Sequence, residues 1–170
     1  MEDSAESPQQ PIIHNRENTA SSTFNFKTFY SDSEGRIDLG SYTRDVAKLN
    51  MLIYEGLDDK DELQELKDII EEPDTAVIVV TNHSDEVVGF GSVSGLHSST
   101  ANFDVSAVKE GNRGKGIYRE LVRRRVELAM QNGVKKVMTF PNSQNIYQIK
   151  ALADEGFNNN GGSFYILDIK

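Results

Sequence analysis

Residues 108 to 118 read V-K-E-G-N-R-G-K-G-I-Y, and this stretch decides the fold because it joins two segments of opposite periodicity. Before it, Ala101 to Val108 (A-N-F-D-V-S-A-V) alternates as a strand does, with Phe103, Val105 and Ala107 on one face and Asn102, Asp104, Ser106 and Val108 on the other. After it, Ile117 to Asn132 places Ile117, Leu121, Val122, Val126, Leu128 and Ala129 at helical spacing, and Gly133 stands as its C-terminal stop. A strand, a glycine-rich loop and a helix is an arrangement suited to anions. The first turn of a helix has unpaired N–H donors at the positive end of its dipole, and Gly111, Gly114 and Gly116 leave room for a phosphate to reach the backbone.

Spacing separates the phosphate loops from one another. A Walker loop needs G-x-x-x-x-G-K-[ST], but Lys115 is followed by Gly116, so the hydroxyl that holds magnesium is missing. The dinucleotide fingerprint G-x-G-x-x-G begins at Gly114 and Gly116 and fails at Arg119, and it follows a first parallel strand rather than a meander. Both nucleotide readings are excluded.

Working outward, Thr23 to Tyr30 (T-F-N-F-K-T-F-Y) has the period of a half-buried strand. Asp38 to Gly56 and Asp61 to Glu71 have helical spacing, with Val46, Leu49, Leu52 and Ile53 on one face and Leu63, Leu66, Ile69 and Ile70 on the other. Thr75 to Thr81 is a β-branched strand, and Glu86 to Gly95 returns from it across the Asn82–Asp85 turn as an antiparallel hairpin. Beyond the central helix come a crossover strand from Val134 to Phe140, a helix from Gln144 to Glu155 capped by Asn142 or Ser143, and a last strand from Ser163 to Ile169. The order is β-α-α-β-β-β-α-β-α-β.

The spacing V-x-x-x-x-[RQ]-x-x-G-x-[GA] is met by Val108, Arg113 and Gly116, and it resembles the acyl-CoA loop of the GNAT family of N-acetyltransferases. Asn145 to Phe157 (N-I-Y-Q-I-K-A-L-A-D-E-G-F) is similar to that family's following helix, with Asn145, Gly156 and Phe157 on its marked positions. The resemblance spans Thr23 to Lys170. It implies an α/β (α+β) fold, a mixed twisted sheet flanked by about four helices, with acetyl-CoA as cosubstrate. It also implies a cofactor site at Ala107, Val108, Arg113, Gly114, Lys115, Gly116, Ile117, Tyr118 and Asn145, and a backbone N–H near Val108 that meets the thioester oxygen. Two residues depart from the pattern. Tyr118 stands where a Gly or Ala is usual, and Leu152 where many members carry the tyrosine that protonates the leaving sulfur.

Acetyl transfer to an amine requires a base, since a lysine-like amine with a pKa of about 10.4 is protonated at neutral pH. Asp104 is the candidate, as its face of the strand also carries Ser106 and Val108. Tyr147 is the candidate acid acting through water, although a thiol of pKa about 8.5 leaves tolerably well unaided. Packing is its other reading.

The 18 basic and 27 acidic residues give a net charge of -9, which disfavours nucleic acid and suits a cationic amine acceptor. The acidic run Glu55 to Glu65 is a further attraction for such an acceptor, or else a solvated helix face. Arg123, Arg124 and Arg125, about 100° apart on a helix, are expected on a solvated face, one of them near the cofactor's 3′-phosphate. With no cysteine and three scattered histidines, His14, His83 and His97, no metal site is expected. The longest apolar stretch, Ala76 to Val80, falls far short of the roughly 20 residues of a membrane span, so no membrane association and a cytoplasmic location are expected.

Residues 1–22 form a polar tail whose Ile12-Ile13 pair is the natural anchor for a protein partner, a second copy, or the chain's own domain at 23–170. The functional expectation is an acetyl-CoA-dependent N-acetyltransferase acting on a primary amine of a small molecule or protein. Its alternative is a weakened GNAT-fold binding or assembly module held through the tail.

Overall fold

The computed structural model describes residues 23–51 and 62–170. The elements run β1 (Asn25–Tyr30), α1 (Thr43–Met51), α2 (Glu62–Ile70), β2 (Ala76–Thr81), β3 (Val87–Val93), β4 (Thr100–Phe103), β5 (Ser106–Val108), α3 (Ile117–Gln131), β6 (Lys136–Thr139), α4 (Ile146–Asp154), β7 (Asn158–Asn159) and β8 (Tyr165–Asp168). They form the expected mixed α/β fold with four helices, its strands in two four-stranded sheets, ordered β1-β2-β3-β5 and β4-β6-β8-β7, that are joined by an antiparallel bridge between Ser94 and Asn102.

Every residue of β2 and β3 is buried because both faces of the first sheet are covered. On one face Val77, Val79 and Phe90 pack with Val46, Leu49, Leu66 and Ile70 of α1 and α2. On the other, Ile78, Val80 and Val88 pack with Ile117 and Leu121 of α3. A second apolar cluster joins Phe103, Val122, Ala129, Val137, Leu152 and Phe157, tying α3 and α4 to the second sheet. The right-hand border of α3 falls where expected: Gly133, at φ 75°, ends it.

The main correction concerns Ala101 to Val108. It is not one strand but two, broken at Asp104-Val105. β4 pairs in parallel with β6 up to Phe103 and Thr139, whereas β5 pairs antiparallel with β3. Where the next regular bond between β3 and β5 would fall, the Ser92 carbonyl accepts from Arg125 Nη1 at 3.2 Å and the Val105 N–H donates to Ser92 Oγ at 3.3 Å. Alternation therefore does not place Asp104 on a shared strand face with Ser106 and Val108.

Smaller corrections have local causes. The first helix starts at Thr43 because Gly40–Tyr42 forms a 3-10 turn. α4 is capped by Asn145, whose side chain accepts from the Gln148 N–H at 3.1 Å, not by Asn142 or Ser143. Leu63 is exposed while Leu66 and Ile70 carry the contact of α2. The two-residue β7, two asparagines, had no strand signal at all. Leu52, Ile53, most of the acidic run from Glu55 and the tail 1–22 lie outside the described residues. Among the described residues no helix is long and apolar enough to cross a membrane.

Candidate acyl-CoA site

The N-terminus of α3 is built to stay open. Its cap residue is Gly116, at φ 79°, which offers no side-chain hydrogen bond to the first turn, where Ser, Asp or Asn is usual. Gly114 also takes a positive φ of 76°, and no atom lies within 4 Å of where its Cβ would be. Six consecutive N–H groups, from Gly114 to Arg119, consequently find no acceptor among the described residues. The Arg113 side chain folds back, its Nε donating to the Val108 carbonyl at 3.2 Å, while Lys115 is exposed. This is the donor set that a diphosphate satisfies.

The strand beside the loop is open as well. Lys109 donates to Val88 and Ser92 to Val105, so residues 105, 107 and 109 turn toward β3. The alternating pattern leaves the N–H groups of Ser106 and Val108 facing the other way, toward β6. But β6 ends at Thr139, level with Phe103, and past that point the two chains part. The wedge between them has backbone donors on one wall and no strand on the other.

Asp104 sits where the strands separate. Its side chain reaches solvent, yet the protein around it removes enough water to push its carboxyl up to about 6. A hydrogen bond from Ser94 opposes that rise, Glu72 adds to it by repulsion, and the more distant Arg125 charge opposes it. The point where the strands part thus carries a carboxylate that is a better base than an ordinary aspartate and still ionises near neutral pH.

The three arginines do not form a solvated face. Arg125 is 1 % exposed, with Nε donating to the Leu121 carbonyl and its Cζ 4.1 Å from the Phe103 ring centroid. Gly91 makes this possible, since a Cβ there would lie 3.2 Å from Arg125 Cζ. Arg123 and Arg124 both grip Glu120, at 2.5 and 2.7 Å, and Arg124 also lies over Phe26. Glu120, 4 % exposed, is disfavoured as an anion by burial, but the two arginines outweigh that and hold its carboxyl below the usual range.

The remaining site residues divide. Ala107, Val108, Arg113, Gly114, Lys115, Gly116 and Ile117 come together around the loop, with Ile117 buried beneath it. Tyr118 turns inward and packs against the second cluster, away from the open N–H groups. Asn145 is exposed, its side-chain oxygen committed to capping α4. Tyr147 is 80 % exposed on the first turn of α4, and Leu152 is fully buried. Sequence reading missed Arg125, Ser94 and Glu72; only Arg125 had a signal, its place in the apolar stripe Leu121, Val122, Ala129. Two open concavities of about 500 and 320 Å3 share Tyr30, Ser31 and Asp32 at the opposite end of the first sheet. They hold none of the open backbone donors, and the wedge is the better candidate on chemistry.

An uncapped helix N-terminus beside a strand that has parted from its neighbour, on this strand order, defines the fold class of the N-acyltransferases. Residues 43–157 match the model of the Acetyltransferase (GNAT) family, and the chain belongs to that family. No curated protein sequence matches it significantly. Among solved structures it is similar to a putative acetyltransferase from Acinetobacter baylyi (15% identity, 86% of this chain and 94% of that one, TM-score 0.66). It is also similar to a spermidine/spermine N-acetyltransferase from Vibrio cholerae (15%, 86% and 94%, TM-score 0.64). A third is a putative acetyltransferase from Salmonella typhimurium, solved with its cofactor acetyl-CoA (16%, 85% and 94%, TM-score 0.58).

Proposed function

We propose that this chain transfers an acetyl group from acetyl-CoA to a primary amine of a small molecule or protein, with a cationic acceptor favoured. The observation that carries the reading is the run of six open N–H groups from Gly114 to Arg119 leading to the outward amides of Val108 and Ser106. The glycine loop would hold the diphosphate, and the wedge beside β5 would take the extended arm. Bound acetyl-CoA supplies the acyl thioester. The Val108 N–H would donate to the thioester oxygen as negative charge grows there, a single-donor oxyanion site. Asp104 accepts a proton from the attacking ammonium or amine, directly or through one water.

The net charge of -9 supports a cationic acceptor, as does the polyamine named for the Vibrio cholerae neighbour. Thiol release from acetyl-CoA over a panel of polyamines, aminoglycosides, amino acids and peptide N-termini tests the proposal. The protein has no cysteine, so it adds no thiol of its own. Release with at least one amine, depressed on the order of 10²-fold in Asp104→Asn, is the expected result. A chain that binds acetyl-CoA and releases no thiol with any amine contradicts it.

A further inference from the structure

Breaking a thioester puts negative charge on sulfur, and the reaction gains from a proton donor at that point. Tyr147 is turned to solvent and Leu152 is an apolar side chain sealed in the second cluster, so α4 offers no such donor. α3 offers one. Tyr118 stands seven residues before Arg125, two helical turns, so both side chains leave the helix in nearly the same direction. That direction is toward the end of β4. The Tyr118 ring packs on the cluster that contains Phe103, Leu152 and Phe157, and the Arg125 guanidinium lies over the same Phe103. Arg125 is fixed by the carbonyls of Leu121 and Ser92, while its Nη2 is buried with no hydrogen-bond partner among the described residues. Such a group is costly to bury, which points to a role for the charge. Burial disfavours the Arg125 charge, and Tyr118 and the Asp104 carboxylate are the groups that favour it.

We propose that Tyr118 is the catalytic acid of acetyl transfer, protonating the departing thiolate from the α3 side of the wedge, and that Arg125 is its positioning residue. This rests on the N-acetyltransferase reading above. As the C–N bond forms from the amine lone pair, one amine proton passes to Asp104. The C–S bond breaks with its electron pair going to sulfur, which takes the Tyr118 proton. The tyrosinate, its charge balanced by Arg125, takes a proton back from solvent, and Asp104 gives one up. The sum is amine plus acetyl-CoA to amide plus free CoA thiol. Tyr118, which fills a position usually held by Gly or Ala, thereby answers the absence of a phenol at Leu152: one phenol has moved across the same cluster.

The test is Tyr118→Phe, which keeps the ring in the cluster, assayed with acetyl-CoA and with spermidine and neamine as amine probes. The proposal expects kcat to fall on the order of 10²-fold while KM and acetyl-CoA affinity stay within about twofold, and the solvent deuterium effect on kcat to shrink. Tyr118→Phe combined with Leu152→Tyr returns a phenol to the cluster from α4 and should recover kcat. A double variant no faster than Tyr118→Phe at equal melting temperature counts against the proposal. Tyr118→Phe turning over within about twofold of the parent, with its isotope effect intact, overturns it and leaves the acetyltransferase reading standing. A parent chain that binds acetyl-CoA but releases no thiol with the full amine panel overturns that reading and this proposal with it.

Discussion

Asp104 carries a measurable signature of where it stands. Its carboxyl is raised from 3.8 to about 6, chiefly by desolvation, so the folded chain holds a proton that the unfolded chain has already lost. Stability therefore falls as pH rises from about 4 to about 6, and stays reduced above that. Asp104→Asn should melt higher than the parent at pH 7 and gain nothing below about pH 4, which a series of thermal melts across pH would show. Activity should run the other way. In the proposed mechanism the ionised form is the base, so kcat/KM should climb as pH passes about 6 in the parent, and this limb should vanish in Asp104→Asn. The sequence revealed a carboxylate four residues before Val108, but the argument for its direction assumed an unbroken strand. Its perturbation comes first from desolvation by the surrounding fold, which Ser94 opposes and Glu72 reinforces, and these neighbours are distant in sequence and leave no local pattern.

At the scale of elements, α3 carries both the proposed anion site and Arg125, which donates to the Ser92 carbonyl where the strand breaks. Its limits were legible because apolar spacing and Gly133 are local signals. The burial of Arg125 was not, since arginine is so rarely fully buried that residue type outweighs position. What admits it is a glycine on another strand: Gly91→Ala would set a Cβ 3.2 Å from Arg125 Cζ and should cost about 1–3 kcal/mol, read by urea denaturation. Glu120 ties the outer arginines to the helix. Removing it in Glu120→Ala leaves Arg123 and Arg124 facing each other and should cost about 2 kcal/mol at neutral pH. Because its carboxyl is held low, the contribution of Glu120 is present above the ordinary 4.5 and is lost as pH falls through the lowered value. The gap between parent and Glu120→Ala should accordingly close in acid.

Across the whole molecule, the proposed function depends on one strand changing sheets. Residues 100–108 begin beside β6 and finish beside β3, and the space this opens is lined by amides that α3 continues. Apart from the split of residues 101–108 and the short β7, element order and the loop's spacing were readable from the chain, and residues 43–157 match the model of the family that the loop pointed to. The parting of the strands was not, because β4 and β5 are joined in sequence and only pairing distinguishes them. The acceptor side is the part least written in the chain: net charge favours a cation, and no single residue selects one.

The most direct measurement of the central claim is the change in backbone amide resonances when acetyl-CoA is added to the isotope-labelled protein. The account predicts saturable shifts concentrated at Gly114 to Arg119 and at Ser106 and Val108, with the far end of the first sheet near Tyr30 and Asp32 undisturbed. No shift at millimolar acetyl-CoA, or shifts confined to the Tyr30 end, would contradict it.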